Sequence, residues 1–371
     1  MASLVMLAIL SGCAALLYLK GTLTQGIAMV FNAIIAGFVA FAFFERLSVM
    51  LANYASGMAA WAPTICFLLL FVLTLAVLQT LALQIGKEKV DLGLWPERVG
   101  RVVCGLMLGY VVTGHLFVAL ANAPVQSQYP YPRFDERNPD PSRPNTALLG
   151  PDGFVTALFS AVSKGSFAPL GEPKSFAVLH ANFLDQIHLN RIKGSRDVSL
   201  MTSSPALSLP SRGGVWDAAS TLRDTDGNPL PARPGENLIL VRVGIRKSAL
   251  NDAGKFTLSQ LRLICTPRAT GDHPLAGQGQ AVYAIGYIGR GGRLEHKTLT
   301  DIISIQSEDV PDNVKEIDFA FYVPANLVPT LVQFKRNNVE RVSAPVSGED
   351  APQPIPFEGP APAPRTDNAE R

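Results

Sequence analysis

Apolar residues are concentrated in the first third of the chain, where they form four long runs separated by short polar connections. None of the runs contains Asp, Glu, Lys or Arg, and each comes close to the roughly 20 residues that a helix needs to cross a bilayer. They also lack the polar stripe that a surface helix of a soluble protein carries. The pattern predicts an α-helical membrane bundle of four transmembrane helices within residues 1–123, over 2–19, 26–44, 60–85 and 102–123.

The hydrophobic period changes to two in the last third of the chain. Val241, Val243 and Ile245 alternate with polar or small residues, and further short apolar runs lie between turn signals such as the glycines within 289–292. Six or seven short strands at this spacing are typical of an antiparallel sandwich. Residues 237–343 are therefore predicted to form a mainly β soluble domain, and its layout resembles the small immunoglobulin-like domains of bacterial envelope proteins.

The other segments of the soluble half are predicted from composition and helical periodicity. Residues 124–151 are Pro-rich and are expected to form an extended, mobile linker. Residues 152–194 show an amphipathic helical pattern, and residues 195–236 form an irregular polar loop. The helix expected over 152–164 could pack on the membrane surface or on the soluble domain. Residues 344–371 are Pro-rich with few large apolar side chains and are predicted to be a disordered tail.

Basic residues in the short connections predict the orientation of the bundle. Cytoplasmic connections of membrane proteins carry an excess of Lys and Arg. The connections after the first and third runs hold five basic residues, whereas the connection after the second holds only Arg46. The five topology-setting residues are Lys20, Lys87, Lys89, Arg98 and Arg101. This bias predicts a multi-pass plasma-membrane protein with both termini and the soluble domain outside the cytoplasm.

Small and polar residues within the apolar runs are the candidates for function. Small residues let helix backbones approach closely, and the fourth run predicts either bundle packing or a self-association face through Gly105, Gly109 and Gly114. Polar groups inside a membrane are often functional, and the candidates of this kind are His115, Gln79 and Gln84. A neutral His115 bonded to a backbone carbonyl is the alternative, because the runs offer no Asp or Glu for a proton relay.

Net charge and cysteine spacing exclude several classes of function. The formal net charge is only +2 and the basic residues are scattered, so no nucleic-acid partner is expected. The four cysteines form no CxxC pair, so no metal site, cofactor or disulfide framework is predicted. Cys13 ends a Leu-Ser-Gly-Cys sequence that matches a lipoprotein cleavage box, but no basic residue precedes it. We expect a retained helix here, with a lipid-modified Cys13 as the alternative.

Three short motifs in the membrane half point to a family. They are Lys20-Gly21, the sequence Ala60-Trp61-Ala62-Pro63 at the start of the third run, and Arg98-Val99-Gly100 followed by Gly105 and Gly109. With these motifs, residues 1–123 resemble the colicin V production protein family of bacterial inner-membrane proteins. The resemblance implies a four-span protein linked to bacteriocin or toxin export and envelope maintenance, and it supplies no catalytic residues.

Three hypotheses of function follow from these patterns. The first is a non-enzymatic inner-membrane scaffold or accessory subunit with no catalytic residue. Its expected partners are membrane lipid, a second copy or another membrane protein, and an envelope or secreted protein for the outer domain. The second is an oligomeric channel or transporter subunit, and the third is an enzyme with a metal at His180 and His188.

Overall fold

The computed structural model describes residues 1–85, 93–164, 174–194, 198–202, 205–268, 273–310, 312–347 and 350–358. Its first third consists of four long helices, α1 (Ala2–Lys20), α2 (Leu23–Tyr54), α3 (Ala62–Ile85) and α4 (Leu94–Asn122). All four are long and apolar enough to cross a membrane. The predicted helical membrane region is therefore confirmed as four candidate membrane-spanning helices.

Two of these helices extend beyond the predicted apolar runs. The helix α2 continues past residue 44, through Glu45 and Arg46 to Tyr54, and α4 begins at Leu94 instead of at residue 102. Both extensions contain charged residues, which hydropathy removes from a predicted span but which are good helix formers. The helices therefore bring charged side chains to the two ends of the bundle.

The helix α4 lies at the centre of the bundle. It packs along α1 on one side and along α2 on another, and α3 packs on α2. Lys20, Glu97 and Arg101 lie at one end, where Glu97 accepts hydrogen bonds from Arg101 and from the backbone N–H of Leu23. At 1.5 Å per residue, α4 from Arg101 to Asn122 measures about 31 Å, which matches a hydrocarbon core of about 30 Å.

The segment 124–151 is folded onto the bundle, so the prediction of an extended mobile linker is wrong for it. Tyr131, Arg133 and Phe134 are buried, and the Tyr129–Pro130 peptide bond is cis. Tyr131 packs with Met6 of α1 and Phe117 of α4 in one apolar cluster. Proline-rich composition indicated flexibility, but these aromatic side chains bury apolar surface that holds the segment in place.

Three short helices follow this segment: α5 (Pro151–Ser163), α6 (Phe176–Leu179) and α7 (Phe183–Leu189). The helix α5 packs on α4, with the backbone of Pro151 directly against Gly114. Val155 and Phe159 of α5 are buried in the same apolar core as the membrane helices. Of the two placements open for the helix predicted over 152–164, the structure shows packing on protein, chiefly on the bundle.

The rest of the chain is mainly antiparallel β-structure. Its strands are β1 (Leu207–Ser208), β2 (Val215–Asp217), β3 (Glu236–Arg246), β4 (Lys255–Thr257), β5 (Leu261–Pro267), β6 (Gln280–Tyr283), β7 (Gly286–Ile288), β8 (Leu294–His296), β9 (Ile302–Ser304), β10 (Val314–Pro324), β11 (Leu327–Phe334) and β12 (Asn338–Arg341). A short helix, α8 (Leu250–Ala253), lies between β3 and β4. Since β1 and β2 fall within 195–236, that segment is not wholly the irregular loop that was predicted.

Two open sheets share the core of this β domain. One has the order β1-β3-β10-β7-β8 with β2 also on β3, and the other has the order β12-β11-β5-β6. Alternate residues of β3, such as Val241 and Val243, meet Leu263 of β5 and Phe334 of β11 in one apolar cluster. A mainly antiparallel β region is therefore confirmed, whereas an immunoglobulin-like arrangement is not.

Part of the segment predicted as a disordered tail lies on the first sheet. Phe357 is buried, its ring centroid lies 5.2 Å from that of Tyr287, and its N–H donates to the Ile288 carbonyl at 2.8 Å. The N–H of Ile355 donates to the Asp318 carboxylate at 2.7 Å. The prediction of disorder is wrong for residues 350–358, because one apolar side chain and two hydrogen bonds donated by backbone N–H groups hold them. Residues 359–371 lie outside the described residues.

Candidate functional site

An aromatic cluster joins the membrane bundle to the three short helices. The rings of Phe41 and Phe159 stack with centroids 5.0 Å apart, and Phe176 meets Phe159 edge-on at 4.9 Å. Such aromatic pairs contribute roughly 0.5–1.5 kcal/mol beyond the area they bury. The cluster comprises Phe41, Phe44, Phe67, Phe159, Phe176 and Phe183. It makes α5–α7 an extension of the bundle core.

Polar contacts surround this cluster at the end of the bundle that carries the β domain. The Nε2 of His180 lies 3.1 Å from a carboxylate oxygen of Glu45, and its Nδ1 lies 3.2 Å from Gln186 Oε1. Arg336, in the turn between β11 and β12, donates to the carbonyl of Asn122 at 3.0 Å and to its side-chain oxygen. Residues from both halves of the chain therefore complete one junction.

Arg191 closes the C-terminal end of α4. Its guanidinium donates to the carbonyls of Leu120 at 3.4 Å and Tyr129 at 2.7 Å. The last carbonyls of a helix have no partner within the helix and carry its negative dipole end, so a cation is favourable here. Burial lowers the pKa of Arg191 to about 10, which still leaves it charged at neutral pH.

A neutral histidine lies beside this arginine. The Nδ1 of His188 lies 3.3 Å from Arg191 NH2, and its ring packs against Tyr131 with centroids 5.4 Å apart. Burial, reinforced by the positive charges of Arg191 and Arg133, lowers the pKa of His188 well below its ordinary value. His188 therefore accepts a hydrogen bond from Arg191 and does not compete with it as a second cation.

A buried ion pair fixes the segment 124–151 against α7. Arg133 NH2 and Nε both lie 2.7 Å from a carboxylate oxygen of Asp185, and Arg133 also donates to the hydroxyl of Tyr131. That hydroxyl donates to Asp152 at 2.5 Å, at the start of α5. The Asp152 carboxylate is a hydrogen-bond acceptor at a helix N-terminus, where negative charge is stabilised. The chain Asp185–Arg133–Tyr131–Asp152 thus links three elements.

The buried side chain of Lys335 lies against the loop at 198–202. The Nζ of Lys335 lies 3.0 Å from the Ser199 carbonyl and 3.2 Å from the Lys255 carbonyl, and it also contacts the Asp252 carbonyl. An ammonium has three N–H donors, and these three carbonyls account for them. Burial lowers the pKa of Lys335 to about 7. The arrangement ties β11 to α8 and to the loop.

Two neighbouring cavities, which share Val49, Met201 and Asn337 in their linings, lie at this junction. The larger, about 1050 Å³, lies between the C-terminal part of α2 and the β domain, where Ala52, Pro124, Ser199 and Asn338 line it. The smaller, about 390 Å³, lies beside α2 and the start of α3. We call the smaller one the boundary chamber; it is lined in part by Phe44, Arg46, Val49, Met50, Pro63 and Arg336.

The predicted packing glycines lie in helix contacts within the chain. A Cβ on Gly105 would lie 2.5 Å from the Cα of Ala14, and one on Gly109 would lie 2.8 Å from the Cα of Leu10. One on Gly114 would lie 2.4 Å from the carbonyl of Pro151. The helix α1 therefore packs directly on Gly105 and Gly109, and α5 packs on Gly114. These glycine surfaces are already covered within one chain.

The three polar candidates in the membrane helices have different surroundings. His115 is buried, with Nδ1 2.8 Å from the Val111 carbonyl and its ring stacked on Phe71 at 4.6 Å. Gln79 accepts a hydrogen bond from Asn32 of α2 at 3.3 Å, and Gln84 is exposed. The bond of His115 to the Val111 carbonyl is the backbone contact that the sequence predicts as the alternative to a functional His115.

The basic residues that predict orientation lie at the end of the bundle opposite the β domain, where the structure describes them. Lys20 ends α1, Arg98 is exposed on the first turns of α4, and Arg101 pairs with Glu97 at 2.7 Å. Lys87 and Lys89 lie outside the described residues. The described basic residues thus cluster on one side of the bundle.

The two histidines of the metal hypothesis have separate partners. His180 binds Glu45 and Gln186, whereas His188 lies against Arg191 and Tyr131. The described residues contain no group of three or more His, Cys, Asp or Glu side chains that could hold a metal ion. The four cysteines, Cys13, Cys66, Cys104 and Cys265, are free thiols.

Comparison with protein-family models, with curated proteins and with solved structures finds no match to this chain. The junction is therefore the structural feature from which a function is inferred. Sequence patterns missed its main residues, Glu45, Asn122, Arg191 and Arg336, because none of them belongs to a motif and Asn122 lies inside the fourth apolar run. A charged pair such as Glu45-Arg46 directly after an apolar run was the one available signal, since charges there mark the level of the membrane boundary.

Proposed function

We propose that this protein is a non-enzymatic, multi-pass inner-membrane scaffold or accessory subunit that holds its β domain on the extracytoplasmic face. The observation that carries the proposal is the continuous junction between bundle and domain. Glu45 and Asn122 of the membrane helices bind His180 and Arg336 of the soluble half. A flexible tether would let the domain move freely, whereas this junction fixes its position and orientation relative to the membrane.

The lipid-facing surface of the bundle supports a role in assembly. The helix α3 contains no charged residue, and only 17% of its span is buried within the chain, compared with 61% for α4. Bilayer lipid can cover such a surface, and so can another membrane helix. We assign α3 as the face for a second copy or for another membrane protein.

The biological setting follows from the family resemblance and the charge bias. Similarity of residues 1–123 to the colicin V production proteins favours a role in envelope maintenance or in export of a bacteriocin or toxin. The basic end of the bundle favours a cytoplasmic position for Lys20 and Arg101. The β domain would then meet envelope or secreted proteins, in the manner of an immunoglobulin-like binding module.

Site-specific photocrosslinking in the native membrane tests this function. A photoreactive residue at Val72, which is 57% exposed on α3, should give a discrete adduct with a second copy or with another membrane protein. The neighbouring Phe71 is only 5% exposed, so the same residue at position 71 is the matched control and should crosslink only within the chain. If position 72 captures nothing but lipid, α3 is not an assembly face and the scaffold proposal fails.

A channel or transporter subunit is the second candidate. It is favoured by one observation, the hydrogen bond between Asn32 of α2 and Gln79 of α3 within the membrane helices. Flux through liposomes that contain the purified protein would decide. Flux that falls in Gln79→Leu and His115→Leu would support a pore, and flux no higher than in empty liposomes would exclude it.

A further inference from the structure

The boundary chamber lies at the level where the hydrocarbon core of the membrane ends. Glu45 and Arg46 of α2 lie beside it, and Arg336 binds Asn122 at the C-terminal end of α4. This level is about 31 Å from Arg101, the thickness of a bilayer core. Beyond it, Tyr54 at the end of α2 and Trp61 directly before α3 are exposed, and these residue types favour the interface between membrane and water.

The lining of the chamber is amphipathic. Phe44, Val49, Met50 and Pro63 give it an apolar side. Its polar lining includes two arginines, Arg46 and Arg336, and one carboxylate, that of Glu45. His180 already occupies this carboxylate at 3.1 Å. The chamber therefore combines hydrocarbon surface with an excess of guanidinium groups.

Both arginines have donors available for a ligand. A guanidinium carries five N–H groups, and the two contacts of Arg336 with Asn122 use two of them. Burial lowers the pKa of Arg336 to about 10, so it remains a cation at neutral pH. Arg46 is exposed on α2, one turn before Met50. The planar fork of an arginine side chain matches the geometry of a phosphate group.

An apolar stripe on α2 leads from the middle of the bundle to the chamber. Phe31, Ile35, Phe43 and Met50 are 62%, 45%, 51% and 67% exposed. At 100° per residue these four and Arg46 fall within about one third of the helix circumference. An acyl chain that lies along this stripe would carry its head group to Arg46 and into the chamber.

From these features we infer that the boundary chamber is a binding site for one anionic phospholipid of the surrounding bilayer. Its phosphate contacts Arg46 and Arg336, and its acyl chains follow the exposed stripe of α2. The larger cavity shares Val49, Met201 and Asn337 with the chamber and gives room for the polar part of the head group. The bound lipid fills the space between α2 and the β domain.

Native mass spectrometry of the intact chain in mild detergent tests the site. The probes are dioleoyl phosphatidylglycerol and dioleoyl phosphatidylcholine, added in equal amounts. We expect one phosphatidylglycerol retained per chain in preference to phosphatidylcholine. Arg46→Gln should weaken retention about fivefold, the usual effect of one basic residue near a lipid surface, and Arg46→Lys should keep most of it.

Arg98→Gln is the charge control, because Arg98 is an exposed arginine at the opposite end of the bundle. Val49→Trp should block the chamber, whereas Val72→Trp on the exposed face of α3 should not. Equal retention of the two lipids, or an equal loss in Arg98→Gln, would overturn the proposal. Displacement of the lipid by inorganic phosphate would do the same, because the site would then be one for a free anion.

Discussion

At the residue scale, close contacts decide which positions of the membrane bundle tolerate change. Gly37 of α2 lies against His115 of α4, and a Cβ built on Gly37 would lie 1.8 Å from Nε2 of the imidazole. The imidazole cannot move away freely, since it is stacked on Phe71 and bonded to the Val111 carbonyl. Gly37 is therefore required by His115, although the two residues lie in different apolar runs.

Gly37→Ala should destabilise the bundle by about 1–3 kcal/mol, the usual cost of overpacking a close contact. Gly12→Ala is the matched control, because a Cβ on Gly12 meets no atom within 4 Å. Both changes put alanine into a membrane helix, so the intrinsic helix preference cancels in the comparison. Unfolding in mixed detergent micelles, followed by circular dichroism, measures the difference, and equal stabilities would contradict the contact.

Lys335 should make stability depend on pH. Burial lowers its pKa in the folded chain from 10.5 to about 7. Between these pH values the unfolded chain binds the proton and the folded chain releases it, so the free energy of unfolding rises with pH in this window. The rise should be present from pH 7 to pH 10 in the wild type and absent in Lys335→Met.

Chemical denaturation in mild detergent at several pH values measures this effect. Lys255→Met is the control, because the Lys255 side chain is exposed. Subtracting the variant from the wild type removes the contribution of the other titrating groups. Parallel curves for the wild type and Lys335→Met would show that Lys335 keeps its ordinary pKa in the fold.

At the element scale, ion pairs and aromatic side chains replace regular structure in holding the junction together. Residues 124–150 form no helix or strand, yet Tyr131 and Arg133 are buried among them. The Arg133–Asp185 pair is 10% and 8% exposed, so both charges are removed from water. Breaking one partner of such a pair leaves an uncompensated buried charge.

Asp185→Asn should therefore destabilise the junction by about 3 to 5 kcal/mol. Arg133→Met combined with Asp185→Leu should recover much of this loss, because the double change removes both charges of the pair. Limited proteolysis within 131–147 and thermal unfolding report the effect. The exposed pair Arg290–Glu358, at 73% and 65% exposure, is the control, and Glu358→Gln should change stability by no more than about 1 kcal/mol. A small effect of Asp185→Asn would mean that the segment is held by apolar contacts alone.

At the scale of the whole molecule, the basic residues and the β domain lie at opposite ends of the bundle, and both indicate the same orientation in the membrane. Lys20, Arg98 and Arg101 lie at one end of the bundle, and the β domain lies on the other end, beyond Glu45 and Asn122. The end opposite the domain is the one that the excess of basic residues predicts to be cytoplasmic. Orientation can therefore be tested on the intact protein in cells.

A thiol reagent that does not cross membranes should label Ser211→Cys in cells whose inner membrane is intact, and should leave Thr24→Cys unlabelled. Both residues are exposed, Ser211 on the β domain and Thr24 at the basic end of the bundle. The parent chain is the control for background, since its cysteines are buried or half-buried. Labelling of Thr24→Cys alone would reverse the orientation and place the β domain in the cytoplasm.

The sequence by itself determined the four membrane helices and the β character of the second half. Both depend on local properties, because run length and hydrophobic period reflect the bilayer thickness and the geometry of a helix or a strand. The ends of α2 and α4 were less well predicted. Hydropathy indicates where a helix leaves the membrane, but it does not indicate where the helix itself ends. Pro-rich composition predicted a mobile linker over 124–151 and a disordered tail over 344–371, because composition does not show that single side chains such as Tyr131 and Phe357 are buried.

Only the tertiary structure decided how the two halves meet. Glu45 and His180 are 135 positions apart in the chain, and Asn122 and Arg336 are 214 apart. No local pattern relates such residues, because their pairing depends on how α2 extends past the membrane and how the β11–β12 turn reaches α4. The chamber, the close contact of Gly37 with His115 and the buried charge pairs all arise at this level, where burial sets the energy of each polar group.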